Sequence, residues 1–332
     1  MVPGLLALAF LATSEVAAFL PGRRLPPGSG GEEVERHPIL EAGSVLPAAR
    51  AGLADSDLVI GVALAGQARA YPLSVLWDES SHTVNDRLGG APVAVAACPL
   101  AGVGAAFDRR VGKELLEMGS LATTRWGSLV LYDEGSGSEW SLLTGEAFEG
   151  PRTGEHLRRL HTLFTTWARW RSIHPETTVY RAPGTPEGLL DLNARRLQRI
   201  ILAGEGAPSP QDWVVGIEGP SSTAAVLVRR LAESRVANEV IDGIPVVIFT
   251  TEDLTTTVVW RRTVEGKVLT FSVVGDRLRD EETGSVWGPL RGRASSGPLE
   301  GRKLAPMSSV TGFWHAWQAQ HPHTVVLGVG GV

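Results

Sequence analysis

From residue 57 onward the chain alternates short apolar or β-branched runs with Gly, Pro, Asn and Asp. Runs at 58–64, 92–98, 103–111, 114–120 and 128–133 read as strands. A second series follows at 213–218, 244–250, 256–263 and 267–274. Val111-Gly112-Lys113-Glu114 and Val264-Glu265-Gly266-Lys267 carry turn chemistry between such runs, so neighbouring strands are predicted antiparallel. Helical spacing surfaces three times. Trp167, Trp170 and His174 share a face at i, i+3, i+7, and Trp314, Trp317 and His321 repeat it. Thr165 or Thr166 supplies an N-cap for the first, and Pro175 stops it. His174 and His321 recur at the same helix end and read as architectural C-terminal caps. Leu189 to Leu202 predicts a third, amphipathic helix between Pro/Gly-rich segments.

These patterns recur in order. Val59-Ile60-Gly61-Val62 returns as Val214-Val215-Gly216-Ile217, and Gly90-Ala91-Pro92-Val93-Ala94-Val95 as Gly243-Ile244-Pro245-Val246-Val247-Ile248. Gly137-Ser138-Glu139-Trp140 matches Gly284-Ser285-Val286-Trp287, and Gly150-Pro151 matches Gly297-Pro298. Two copies make a duplicated domain rather than a solenoid. The predicted organisation is a first β-rich module at 57–182, a linker with the amphipathic helix at 183–211, and a second, degenerate copy at 212–328. The expected fold class is mainly β (α+β): two homologous antiparallel β-rich modules, each a small twisted sheet or partial barrel with one Trp-rich C-terminal helix. The matched Trp residues (140 with 287, 167 with 314, 170 with 317) read as core.

Leu5 to Ala12 is a short apolar run followed by small residues, the pattern of a signal peptide over 1–20, although Met1 to Gly4 holds no Lys or Arg. Eight apolar residues are too few to cross a bilayer, so no membrane span is expected. Residues 21–56 read as a polar, Pro/Gly-rich approach segment, and the predicted destination is periplasmic or extracellular. Among 332 residues, 43% are hydrophobic and 20% charged, enough for a packed core. A net charge of −5 without a basic block argues against a nucleic-acid partner. One cysteine excludes an internal disulfide, a multi-Cys zinc site and a dithiol redox centre.

An ordered series of motifs carries a family likeness. It runs through Ala68-Arg69-Ala70-Tyr71-Pro72-Leu73, Val84-Asn85-Asp86, Gly89-Gly90, Pro92 to Val95, Cys98-Pro99-Leu100 and Phe107-Asp108-Arg109. It continues through Tyr132-Asp133, Trp140-Ser141, Leu143 to Ala147 and Gly150-Pro151. The chain resembles the bacterial and archaeal family called domain of unknown function 3179, from about 57 to 328. The resemblance implies no established activity. Family members commonly show Cys-Pro-Leu-Cys-Gly-Thr where this chain has Cys98-Pro99-Leu100-Ala101-Gly102-Val103. A His-Glu pair commonly precedes Val-Asn-Asp; here His82 stands one place out of register. If the family's site uses two thiols and that histidine, this copy is impaired or altered.

The candidate chemistry gathers in the first module. Cys98 is a nucleophile or soft-metal ligand, with His82 as base or second ligand; the competing reading is a buried small hydrophobe. Tyr71, Asn85, Arg109, Arg125 and Trp126 are candidate ligand-binding residues, Arg125 and Trp126 as a lid. The second copy has Thr250 or Thr251 opposite Cys98 and Val226-Leu227 opposite Tyr71-Pro72, and it lacks His82. The first copy is also longer, since Leu116 to Trp140 exceeds Leu269 to Trp287 by six positions. Asp108-Arg109-Arg110 and Arg261-Arg262 otherwise read as solvated strand-end charges. No Walker A loop, His-Glu-x-x-His, Gly-x-Ser-x-Gly or complete Gly-x-Gly-x-x-Gly is present; Gly102-Val103-Gly104 lacks the third glycine. The cofactor is therefore open, a metal being possible and a nucleotide unsupported. Three functions follow: an exported metal- or small-ligand-binding or accessory protein with its pocket in the first module, a Cys98/His82 enzyme, or a structural or interaction protein with a decayed site. Oligomeric state is left open.

Overall fold

A computed structural model describes residues 34–37, 39, 43–77, 82–181, 194–204 and 206–328. The signal-peptide reading of 1–20 lies outside them. Three antiparallel layers follow one another in the first half. The first sheet orders Ser44–Pro47, Thr178–Arg181, Gln67–Pro72, Leu58–Leu64 and Thr162–Thr166, with one parallel pairing, Thr178 beside Arg69. The middle sheet orders Arg158–Leu160, Val103–Asp108, Ala91–Cys98 and Thr83–Leu88. A meander of Met118–Arg125, Ser128–Asp133, Glu139–Ser141 and Ala147–Glu149 forms the third. The second half has three four-stranded sheets, one of which, Ser309–Phe313, Trp213–Glu218, Thr223–Leu227 and Val325–Val326, also holds one parallel pair, Ala224 beside Val325.

Helices are few and short. Helix α1 (Leu73–Leu76) follows Pro72; α2 (Trp167–Ile173) is capped by Thr166, whose hydroxyl accepts from the Arg169 N–H at 3.4 Å. Helix α3 (Ala194–Leu202) falls within the predicted 189–202 segment, and α4 (Trp314–Gln320) matches α2. His174 and His321 are the C-caps, their N–H groups bonded to the Trp170 and Trp317 carbonyls at 2.9 Å. Each imidazole lies against its own Trp ring, with centroids 4.3 and 4.2 Å apart. Both expected hairpin turns are present, Gly112 and Gly266 in left-handed conformation.

Two expectations change. The runs 103–111 and 114–120 are each two strands, broken where Arg109 bonds back to Pro92 and Leu116 bonds to Arg109. The 21–56 approach segment is partly built into the fold: Ser44–Pro47 pairs with Thr178–Arg181. Composition read it as a tail because a short edge strand needs few apolar residues.

The cores are shared between halves. Trp314, Trp317, Val310 and Leu227 join Ala94, Cys98, Phe107, Leu131 and Trp140 in one cluster. Trp167, Trp170 and Leu163 join Val247, Phe249, Trp260 and Trp287 in another. Each Trp-rich helix therefore closes over the other half's sheets, and Arg36–Val332 forms one compact unit. Gly61 and Gly216 let each helix also lie close on a sheet of its own half: a Cβ on either would lie 2.2 Å from the ring of Trp170 or Trp317. No helix among the described residues is long and apolar enough to cross a membrane.

Candidate functional site

Cys98 ends its strand with the side chain turned into the shared core, 1% exposed. The Ala101 N–H points at its sulfur from 3.4 Å, and the buried Ser128 hydroxyl lies beside it. Burial raises the thiol's pKa, and the neighbouring backbone N–H groups of Ala101, Leu129 and Leu100 offset only part of that. A thiol so held stays protonated near neutral pH, the opposite of what a nucleophile or metal ligand requires. The loop after it is clamped by the second half: Phe313 N–H donates to the Ala101 carbonyl at 2.7 Å, and Trp213 packs over Gly102.

His82 does not join it. The Ala97 N–H donates to the His82 carbonyl at 3.1 Å, which makes His82 the cross-strand partner of Ala97. Strand alternation puts Val84, Asp86, Leu88 and His82 on the face of Val93, Val95 and Ala97. Ala94, Ala96 and Cys98 point to the other face. The expected Cys98–His82 pairing is thus not assembled, because one residue of register separates opposite faces. His82 instead turns to α1, where Nδ1 donates to the Leu76 carbonyl at 2.9 Å. Its ring meets His37 edge to face, with centroids 5.3 Å apart. One residue beyond Leu76, the Trp77 indole N–H is buried without a hydrogen-bond partner among the described residues.

The same face carries a buried charged array. Tyr71 donates to Asp86 Oδ2 at 2.7 Å, Arg69 forms a salt bridge to that oxygen, and the Arg87 N–H donates to Oδ1 at 2.6 Å. Arg69 reaches the Thr178 hydroxyl and the Arg87 carbonyl as well. Burial, followed by the Asp86 charge, holds the Tyr71 phenol well above its ordinary pKa, so it serves as a neutral donor. With 0% exposure and its hydroxyl committed to Asp86, Tyr71 braces the array and presents nothing to a ligand.

Asn85 and Arg109 are architectural. The Asn85 amide exchanges both bonds with the Met118 backbone, at 2.7 and 3.0 Å, and Asn238 does the same with Phe271. Arg109 donates to the Leu116 carbonyl at 2.8 Å, as Arg262 does to Leu269. Neither is a solvated strand-end charge; each braces the chain around a two-residue-strand hairpin. Asp108 is buried too, and the guanidinium groups of Arg110 and Arg158 hold its carboxyl below the usual range.

Arg125 and Trp126 form the tip of the meander hairpin. The six extra residues lengthen its arms: Met118–Arg125 has 8 residues where Phe271–Val274 has 4. Trp126 and Gly127 both have positive φ, the geometry of a type I′ turn. Arg125 stacks over the rings of Trp126 and Phe148 and pairs with Glu149 at 2.9 Å. Trp126, 38% exposed, rests edge-on against Phe148, and Gly127 abuts His315 of α4. Their contacts go to this tip and to α4, not to the sulfur.

Sequence reasoning passed over His37, Asp86 and Arg69 as site residues. A polar Arg-x-Tyr facing an Asn-Asp, where the second half has Ala224, Val226 and Glu239 on the corresponding strands, was the available signal for the last two. Among the described residues no group of three or more His, Cys, Asp or Glu side chains converges. A family model described as "Protein of unknown function (DUF3179)" matches residues 38–324. No curated protein and no solved structure matches the chain.

Proposed function

Since the chain belongs to the DUF3179 family, whose description assigns no activity, we propose from its geometry an exported binding or accessory protein. Its ligand is a metal or small molecule, taken up in the first half beside His82 rather than at Cys98. The observation that carries this is the end of α1. There the Leu76 carbonyl fixes the His82 imidazole, and the Trp77 indole offers a buried donor with no partner among the described residues. Unsatisfied buried donors cost about 1–3 kcal/mol and are uncommon unless something fills them.

The asymmetry of the halves supports the same location. Arg235 stands where the first half has His82, receiving the Thr250 N–H as His82 receives that of Ala97. We read the halves as copies of one module, 57–182 and 212–328, of which the second is scaffold. Support comes from the repeated sheet order, the paired Asn85/Asn238 and Arg109/Arg262 braces, and the indole bonds Trp140 to Asp133 and Trp287 to Asp280. Export rests on the apolar run Leu5 to Ala12, and N-terminal sequencing of secreted protein tests it.

The binding reading is tested by native mass spectrometry of untagged protein, wild type against His82→Gln. A stoichiometric adduct present in wild type and lost in the variant supports it. A clean apo mass for both, with no thermal shift across a panel of metals and metabolites, overturns it. That result would favour a structural protein with a decayed thiol site, a reading to which the core position of Cys98 already lends weight.

A further inference from the structure

We propose that the open edge of Val325–Val326 in the second half pairs antiparallel with the same edge of a second copy of this chain, joining two sheets across a twofold axis. The inference is independent of the ligand reading at His82.

The first half shows what such an edge receives. Thr178–Arg181, Gln67–Pro72, Leu58–Leu64 and Thr162–Thr166 follow the same order as Val325–Val326, Thr223–Leu227, Trp213–Glu218 and Ser309–Phe313. Val179 lies parallel to Ala70 as Val326 lies parallel to Ala225. The helix indole before each strand bonds a threonine, Trp170 to Thr177 at 2.8 Å and Trp317 to Thr324 at 3.0 Å. Beyond Thr178–Arg181 a fifth strand, Ser44–Pro47, pairs antiparallel with it, Leu46 opposite Val179. Beyond Val325–Val326 no strand follows among the described residues. Burial records the difference: Val179 and Tyr180 are 2% and 1% exposed, whereas Val325 is 56% exposed and Val326 and Leu327 are only half-buried. The segment ahead of the second half does not take the place, because Ala194–Leu202 is a helix whose Leu197 and Ile201 are spent in a core with Trp77 and Trp213.

The edge is complementary to itself. The Leu327 N–H donates to the Ala225 carbonyl at 2.9 Å, and Arg230 donates to the Leu327 carbonyl at 3.3 Å, so residue 327 turns its backbone groups inward. Alternation along the strand then turns the Val326 N–H and C=O outward. On a twofold axis two Val326 residues exchange both bonds, as a hydrogen-bonded antiparallel pair does, and Thr324 of each copy comes opposite Gly328 of the other. Residues 324–328 carry no charge, so the pairing brings no like charges together. Edges that stay unpaired are commonly blunted by lysine, proline or a bulge. Ser44–Pro47 ends in such a proline; Val325–Val326 has none of these. A foreign strand is selected through pockets or charges beside the edge it joins. An edge of Thr, Val, Val, Leu and Gly offers no charge for that purpose, and self-pairing needs none. The twofold also supplies the antiparallel direction that Ser44–Pro47 takes in the first half.

The test is sedimentation velocity of untagged, full-length protein across micromolar concentrations, with amide hydrogen exchange followed at Val326. We expect a reversible dimer, and exchange at Val326 that slows as concentration rises. Val326→Pro removes the outward N–H and keeps the bond from Leu327 to Ala225; it should raise the dimer dissociation constant about tenfold or more. Val325→Lys puts a charge on the edge and should do the same. Leu115→Lys, at an exposed position in the first half, should leave the dimer unchanged. A wild type that stays monomeric overturns the proposal, as does a dimer that persists in both variants. So does a dimer in which Val326 exchanges at the same rate at every concentration. That readout needs no substitution, so it decides the matter even where a variant fails to fold. Monomeric protein that instead binds a synthetic peptide of residues 43–50 at this edge would put a foreign strand in the place of the second copy and overturn the self-pairing.

Discussion

At the scale of single residues, chemistry was decided by which way each side chain faces. Cys98 is the sole thiol and the most conspicuous candidate in the chain, yet it lies in a core among Ala94, Ala96 and Trp314. Its raised pKa and burial predict that one equivalent of a thiol reagent reacts with the native protein only slowly near pH 7 and rapidly once denaturant is added. Fast native modification, followed by absorbance, would contradict this. The Arg69–Asp86–Tyr71 array makes a second prediction. Arg69→Met leaves a buried carboxylate without its cation and should cost about 3–5 kcal/mol, whereas Tyr71→Phe removes one hydrogen bond to Asp86 and should cost about 1–3 kcal/mol. Urea midpoints of the two variants against wild type decide it; equal costs would mean the phenol, not the ion pair, governs the array. Tyr71, Asn85 and Arg109 were legible as special positions, because they are polar within apolar strands. Their roles were not, since a buried brace and a ligand contact use the same residue types.

At the scale of elements, the periodic signals were read correctly wherever a face is one-sided. The Trp-rich helices, their His caps and the two short hairpins all follow from local pattern and turn chemistry. The breaks at Arg109 and Arg262 were not visible, because each depends on a guanidinium reaching a carbonyl seven residues on. Helix-to-sheet contact imposes a sharp requirement at Gly61 and Gly216. Gly216→Ala would drive a methyl into the Trp317 ring and should lower the melting temperature by several degrees, corresponding to about 1–3 kcal/mol of overpacking. A melting temperature within a degree of wild type would show that the ring slides without penalty. Adding a side chain at Gly266, where a Cβ meets nothing within 4 Å, separates this clash from backbone strain, since its φ is positive while that of Gly216 is not.

At the scale of the whole molecule, each half supplies the helix that closes the other, so neither core is complete alone. Chemical denaturation should therefore be one transition, with tryptophan fluorescence and far-ultraviolet circular dichroism superimposing; two separated transitions would refute the interlocked account. The capping histidines add a pH dependence. Burial lowers the pKa of both His174 and His321, so as pH falls through the ordinary imidazole value of about 6.5 the unfolded chain takes up protons that the native state resists. Stability should be flat above about pH 7 and fall between about 7 and 5.5, and the double variant His174→Gln, His321→Gln should have a shallower slope in urea midpoints over that range. The amino-acid sequence by itself determined the strand and helix alternation, the recurrence of the pattern and the excess of polar chemistry in the first half, because these are written in spacing and composition. Only the tertiary structure decided that Cys98 and His82 face apart, that Tyr71 serves Asp86, and that His37 meets His82. Those outcomes depend on strand register and on contacts between segments distant in the chain, where a one-residue shift exchanges core for surface and leaves no trace in local pattern.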